Sequence, residues 1–200
     1  MRWTALVDLL FPSACVACDA YGIALCPACY TPATPLRFAL GALPCVALGS
    51  YDGVLRTAVL AVKSGRRDVA EALGAMLVSL VRSVAADALV PVPTTARRRR
   101  DRGFDQGELL ARCAGRGAGI AVATPLRQTA GDAQRGRSRS ERLAAVGRFA
   151  CGPASLSRGA RVLLVDDVAT TGASLRDCAG ALRAAGLAAV GAVVVARALP

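Results

Sequence analysis

The segment that most restricts what this chain can fold into is Val162-Leu163-Leu164-Val165-Asp166-Asp167-Val168-Ala169-Thr170-Thr171-Gly172-Ala173-Ser174. Four branched apolar residues in succession predict a strand buried on both faces, as in parallel sheets. The two carboxylates at its carboxyl end stand where open α/β sheets bind ligands. A loop of small and hydroxyl residues follows, then a helical pattern from Ala173 through Ala185. Such a loop can turn several backbone N–H groups inward as an anion nest. The helix start adds unpaired donors and a dipole worth about 0.3–1 kcal/mol per exposed anion. Asp166 and Asp167 cannot hold that anion; they suit hydroxyls, a cationic ring in a transition state, or Mg²⁺ held through water. The plainer alternative is an ordinary strand–helix unit with a solvated Asp-Asp end.

A diol and a phosphate on one small ligand describe a ribose 5-phosphate. Strand, paired acids and Thr170-Thr171-Gly172 in this order resemble the 5-phosphoribosyl-1-pyrophosphate (PRPP) binding motif of type I phosphoribosyltransferases. More narrowly, the whole chain resembles the ComF (GntX-like) family, linked to DNA uptake in competent bacteria. The resemblance implies an α/β, type I phosphoribosyltransferase fold: a mainly parallel twisted sheet flanked by helices, with a small N-terminal zinc ribbon built on four cysteines. It divides the chain into a zinc-ribbon module and linker over residues 1–44 and a phosphoribosyltransferase-like domain over 45–200. It further implies that Asp166 and Asp167 hold the ribose 2′- and 3′-hydroxyls. Residues Ala169, Thr170, Thr171, Gly172, Ala173 and Ser174 would then wrap the 5′-phosphate.

At 200 residues the chain has room for one domain with a small appendage. Its longest uncharged run, residues 20–36, contains two cysteines and three prolines. That is short of the roughly 20 apolar residues a membrane span needs. Near the amino terminus, Asp8 interrupts the apolar run and Pro12 ends it, against a lipoprotein signal. The chain therefore reads as soluble and cytoplasmic. Its net charge of +11 rests on arginine, with Lys63 the one lysine, and suits an anionic ligand or nucleic acid. Six of the eight aromatics precede Asp52, which argues against a broad base-stacking platform in the main domain. Histidine is absent, excluding Ser-His and Cys-His nucleophile pairs and any His-ligated metal.

Cys15-x-x-Cys18 and Cys26-x-x-Cys29 each present two thiolates to one ion, and together they complete a tetrahedral site. Redox-active pairs and buried thiols are the alternatives, but no thioredoxin-like βαβ pattern surrounds either pair. The metal expected is structural Zn²⁺, since four protein ligands leave no open position. The ComF resemblance places such a ribbon here, just after Leu10-Phe11-Pro12.

Elsewhere the periodicity predicts helices over 2–11, 54–62 and 69–86, a linker over 31–44, and strands over 46–51 and 88–90. Strand 161–166, helix 173–185 and strand 189–195 close the pattern. By resemblance, Pro91-Val92-Pro93 is a loop approaching pyrophosphate, which singles out Pro93. Lys63 contacts pyrophosphate or is simply a solvated helix end. The run from Arg97 to Gln106 is either a solvated face, a nucleic-acid patch, or a mobile arm that brings Arg102 to the leaving pyrophosphate. It carries Asp105 where the family has Asn, and Asp105 suits the N-cap of a helix over 106–113. Gly115, Gly117 and Gly119 miss the dinucleotide spacing, and residues 134–142 suit a flap over the site.

By resemblance, Mg²⁺-bound PRPP would lose pyrophosphate as a nitrogen nucleophile takes C1, through an oxocarbenium ion stabilised by charge and position. Asp166, Asp167 and Arg102 are the catalytic candidates. Thr170 stands where some purine-salvage relatives place an acidic base, which weakens that substrate class. The acceptor pocket would draw on residues 1–50. Two function classes follow: a phosphoribosyltransferase with an unknown acceptor, acting on PRPP or a phosphoribosyl nucleotide, or a non-catalytic accessory that senses PRPP or handles single-stranded DNA with the competence machinery.

Overall fold

The apolar run of the 162–174 segment becomes the centre of a sheet. Val162, Leu163, Leu164 and Val165 are each 0% exposed, and burying such side chains contributes about 1.5–3 kcal/mol apiece. The structure, a computed structural model, describes residues 13–31, 34–129, 148–152 and 156–198. Within these, strands β1 (Leu36–Leu40) and β2 (Leu43–Ser50) lead into helices α1 (Gly53–Lys63), α2 (Arg67–Met76) and α3 (Val78–Arg82). Then come β3 (Ala88–Pro91), α4 (Ala96–Arg102), α5 (Gln106–Ala118), β4 (Ala121–Val122), β5 (Leu126–Gln128) and β6 (Phe149–Cys151). The described chain closes with β7 (Arg161–Ala169), α6 (Ala173–Ala184) and β8 (Ala188–Arg197).

The main sheet runs β1-β2-β8-β7-β3-β4, and every neighbouring pair is parallel except β1–β2. Side chains alternate across each strand. Leu163 and Val165 accordingly join α1, α2, α3 and α5 in one core layer, while Val162 and Leu164 join α6 and the small β5–β6 sheet in the other. From β3 the chain passes through α5 to β4 on one side; from β7 it passes through α6 to β8 on the other. The gap beyond the carboxyl ends of β3 and β7 is therefore the topological switch point, where sheets of this kind place their ligands.

The structure departs from the sequence reading in identifiable places. Residues 31–44, read as a linker for their prolines and glycines, hold β1 and the start of β2. A period-two pattern of Leu36, Phe38 and Leu40 makes the edge strand, and Gly41 at φ +65° begins the tight turn into β2. The single helix expected over 69–86 is two helices, broken at Leu77. Strand β7 continues through the acid pair to Ala169 instead of stopping at 166. The expected helix over 2–11 and the flap over 134–142 lie outside the described residues. Among those described, no helix is long and apolar enough to cross a membrane.

Candidate functional site

The ladder between β3 and β7 ends early. Its last links are the pairing of Pro91 with Val165 and the bond from Val92 N–H to the Val165 carbonyl at 2.9 Å. Beyond them β7 pairs only with β8, with Asp166 opposite Val194 and Ala169 opposite Arg197. The acid pair thus sits in a strand with one flank open. Because neighbouring side chains leave a strand on opposite sides, Asp166 and Asp167 enter two different environments.

Asp166 lines a hollow of about 140 Å³ with Arg148, Val168 and every residue from Ala169 to Leu175. Its Oδ1 accepts from Asp167 N–H at 2.8 Å. Burial first, and then the neighbouring Asp167 charge, push its carboxyl well above the usual carboxylate range. The residue keeps some exposed surface, so solvent tempers that push. The loop beyond it is held from outside. Arg197 Nη1 donates to the Ala169 carbonyl at 3.1 Å and to that of Thr170, and Arg176 Nη1 donates to the Thr171 carbonyl at 2.9 Å. In a trans peptide the N–H points away from the C=O, so these arginines turn the following amides in the opposite direction. The Arg197 guanidinium also stacks 4.8 Å from the Phe38 ring centroid. Gly172 begins α6 at φ +71°, where an added Cβ would run into Leu40. No side chain caps this helix. Arg148 spans the rim, with Nη2 3.3 Å from Ser174 Oγ and Nε 3.1 Å from Asp177 Oδ2. A pocket for a drug-sized ligand occupies about 300–1,000 Å³; this hollow fits one small anionic group.

Asp167, 8% exposed, faces the other layer. Its Oδ1 accepts from Val168 N–H at 2.7 Å, and its Oδ2 from Gln106 Nε2 at 2.6 Å, with Lys63 Nζ 3.7 Å away. Gln106 Oε1 in turn accepts from Arg102 Nη1, and Arg102 Nε donates to the Lys63 carbonyl at 3.2 Å. The local sequence makes this possible. Asp105 does cap α5, accepting from Glu108 N–H at 3.1 Å. Gly107 lets that first turn sit on the end of β3, since an added Cβ would stand 2.7 Å from the Val92 carbonyl oxygen.

Of the residues singled out from the sequence, Asp166 and 169–174 surround one hollow. Asp167, Lys63 and Arg102 gather in one network on the other side of the strand. Pro93 follows β3 and is not among the residues lining the hollow. Gln106 stood out in the sequence only as the end of the run 97–106, and Arg148, Arg176 and Arg197 gave no functional signal. These three lie among 25 basic residues with nothing in spacing to set them apart.

The cysteines form a second centre. One sulfur from each of Cys15, Cys18, Cys26 and Cys29 lies within 4.8 Å of all the others, and the Cys18 and Cys26 sulfurs are 3.7 Å apart. Tetrahedral zinc with Zn–S near 2.3 Å spaces its sulfurs by about 3.8 Å, so the set could hold a metal such as zinc. Cys26 N–H donates to Cys15 Sγ at 3.4 Å, and such bonds bring that thiol down to about 6. The sulfurs beside Cys29, Cys18 foremost, push it up to about 12. Four thiolates this close need a cation among them. The module is anchored on the main core: Cys15, Ala24 and Leu25 are buried in the layer that holds α1 and α2, and Arg66 Nη2 donates to the Ala14 carbonyl at 2.7 Å.

Comparison with known proteins agrees with this geometry. The family model described as "Phosphoribosyl transferase domain" matches residues 126–199, which include β7, the loop and α6. Competence protein ComFC of Bacillus subtilis (strain 168) is 36% identical over 101 residues, covering 50% of this chain and 40% of the relative. The chain is ComF-like. It has the type I phosphoribosyltransferase fold, with a four-cysteine cluster at its amino-terminal end. Among solved structures, glutamine PRPP amidotransferase from B. subtilis superposes with a TM-score of 0.48 at 23% identity, over 66% of this ComF-like chain and 26% of that one. Leishmania donovani UMP synthase gives 0.43 at 17% identity, over 70% of this chain and 24% of that one. The ComF-like chain thus spans less than half the length of the curated relative it matches.

Two outcomes follow. Elemental analysis of the purified chain should find one zinc per chain, and Cys26→Ser should lower both zinc content and melting temperature; a full-length chain that folds equally well without metal would contradict the site. The second concerns Asp166. Unfolded, the carboxyl titrates near 3.8; folded, it titrates higher, so stability falls as pH rises between the two values. Asp166→Asn removes that penalty. In urea titrations the variant should be the more stable at pH 7, with the gain fading as pH falls toward 3.8. A wild type more stable than the variant at pH 7 would contradict the environment described for this acid.

Proposed function

We propose that this chain binds Mg²⁺-PRPP, or a phosphoribosyl nucleotide, across the switch point, and transfers the phosphoribosyl group to an acceptor. The observation that carries the reading is the meeting of one carboxylate, Asp166, with the arginine-braced loop 169–174 around a single phosphate-sized hollow. Amides of Thr170 to Gly172, the hydroxyls of Thr170, Thr171 and Ser174, and the start of α6 would hold the 5′-phosphate. Asp166 would take a ribose hydroxyl and favour positive charge on the ring as the bond at C1 breaks. Asp167 would act from the other side of the strand, where Gln106 and Lys63 hold it. Arg102, with Lys63 and the Pro93 loop, stands on the side where pyrophosphate would leave. Mg²⁺ would offset the charge of the departing pyrophosphate. Zinc would be structural, and eight cysteines with none joined in a disulfide suit a cytoplasmic setting. The boundary between cysteine module and catalytic domain falls, in this reading, before Leu36, since β1 belongs to the sheet.

A second reading is non-catalytic: PRPP sensing, or single-stranded DNA handling with the competence machinery. Arg97, Arg98, Arg99 and Arg100 favour it, being all exposed along α4. Calorimetry and pyrophosphate release together separate the two. Wild type should bind Mg²⁺-PRPP, and Asp166→Asn should weaken it about 10- to 100-fold, the loss of one charge-assisted hydrogen bond. Release of pyrophosphate with a nitrogen acceptor would establish transfer. Equal affinity in both proteins, or salt-sensitive DNA binding in place of any PRPP binding, would sink the first reading.

A further inference from the structure

Gln106 is a buried polar side chain, 8% exposed, that no part of the phosphoribosyl reading has so far required. Both ends of its amide are used, and in one sense only. The amine end donates to Asp167 Oδ2 at 2.6 Å, and the carbonyl end accepts from Arg102 Nη1. A carboxylate has no proton to give and a guanidinium has none to accept, so this orientation alone satisfies both partners. The circuit closes through Lys63, whose Nζ lies 3.7 Å from the same Asp167 oxygen and whose carbonyl accepts from Arg102 Nε at 3.2 Å. Gln106 from α5 and Lys63 from α1 meet on the Asp167 oxygen of β7, and Arg102 brings in α4 through Gln106 and the Lys63 carbonyl, so the network joins four elements.

We infer that Gln106 is a positioning residue that yokes Arg102 to Asp167 and so fixes the cation meant for the pyrophosphate end of the ligand. This rests on the proposed phosphoribosyl reading and deepens it. Asp167 then serves chiefly the leaving-group side, through Gln106 and Lys63, while Asp166 serves the sugar. Arg102 is the last residue of a seven-residue helix that buries none of its side chains. Gln106 and the Lys63 carbonyl are therefore what hold its guanidinium in place.

The test compares two probes, PRPP and ribose 5-phosphate, both with Mg²⁺, in calorimetry on the full chain. The second lacks the pyrophosphate, so its affinity reports the hollow around Asp166 alone. Gln106→Leu should weaken PRPP about tenfold or more and leave ribose 5-phosphate within about twofold. Gln106→Glu adds a readout that packing alone would not move. Beside Asp167 the new carboxyl repels a like charge, with Arg102 and Lys63 the other charged groups of the network. Protonated, it can donate to Asp167 and accept from Arg102 as glutamine does. PRPP affinity of that variant should therefore approach wild type near pH 5 and fall by pH 8, while the wild-type profile stays flatter. Equal losses for both probes, or no loss at all, would overturn the yoke while leaving the phosphoribosyl reading intact. Failure of wild type to bind either probe would overturn that reading, and the yoke with it.

Discussion

Everything about this site follows from a parallel strand that outruns its neighbour. β7 continues four residues past its last pairing with β3, still bonded to β8 on the other flank. Its pairing with β8 holds the acid pair in extended backbone, where neighbouring side chains leave on opposite sides. Two adjacent acids are thereby sent to opposite sides of one strand. Asp166 faces a hollow lined by the hydroxyl loop; Asp167 meets an amide, a lysine and, at one remove, an arginine. One ligand with a phosphate at one end and a pyrophosphate at the other could use both sides at once.

The loop after β7 depends on parts of the chain remote in sequence. Phe38 and Leu40 come from the edge hairpin, Arg197 from the end of the last strand, and Arg176 from α6 itself. The cysteine module reaches the other side of the site by a short route. Arg66 binds the Ala14 carbonyl beside Cys15, and three residues earlier Lys63 faces Asp167. The two centres share one core layer, which gives the amino-terminal module a mechanical stake in the fold.

Much of this was legible in the sequence where local chemistry and tertiary structure agree. The buried strand, the acid pair, the Thr-Thr-Gly loop, the following helix and the two Cys-x-x-Cys pairs each carry their own signature. Asp105 as a cap was readable because capping is decided within four residues. The edge hairpin was not, because prolines and glycines mask its short period-two pattern. The break at Leu77 was not, because the apolar periodicity runs across it. Least legible was the separation of Asp166 from Asp167. Adjacent letters suggest shared work, but strand geometry divides them, and Gln106 shows its use only when α5 is laid against β7.

A crystal structure of the protein with Mg²⁺ and ribose 5-phosphate tests the central claim most directly. The account predicts the terminal phosphate in the hollow, about 3 Å from the loop amides, with a ribose hydroxyl on Asp166. A phosphate seated instead on the arginines of α4, with the hollow empty and Asp166 untouched, would contradict it.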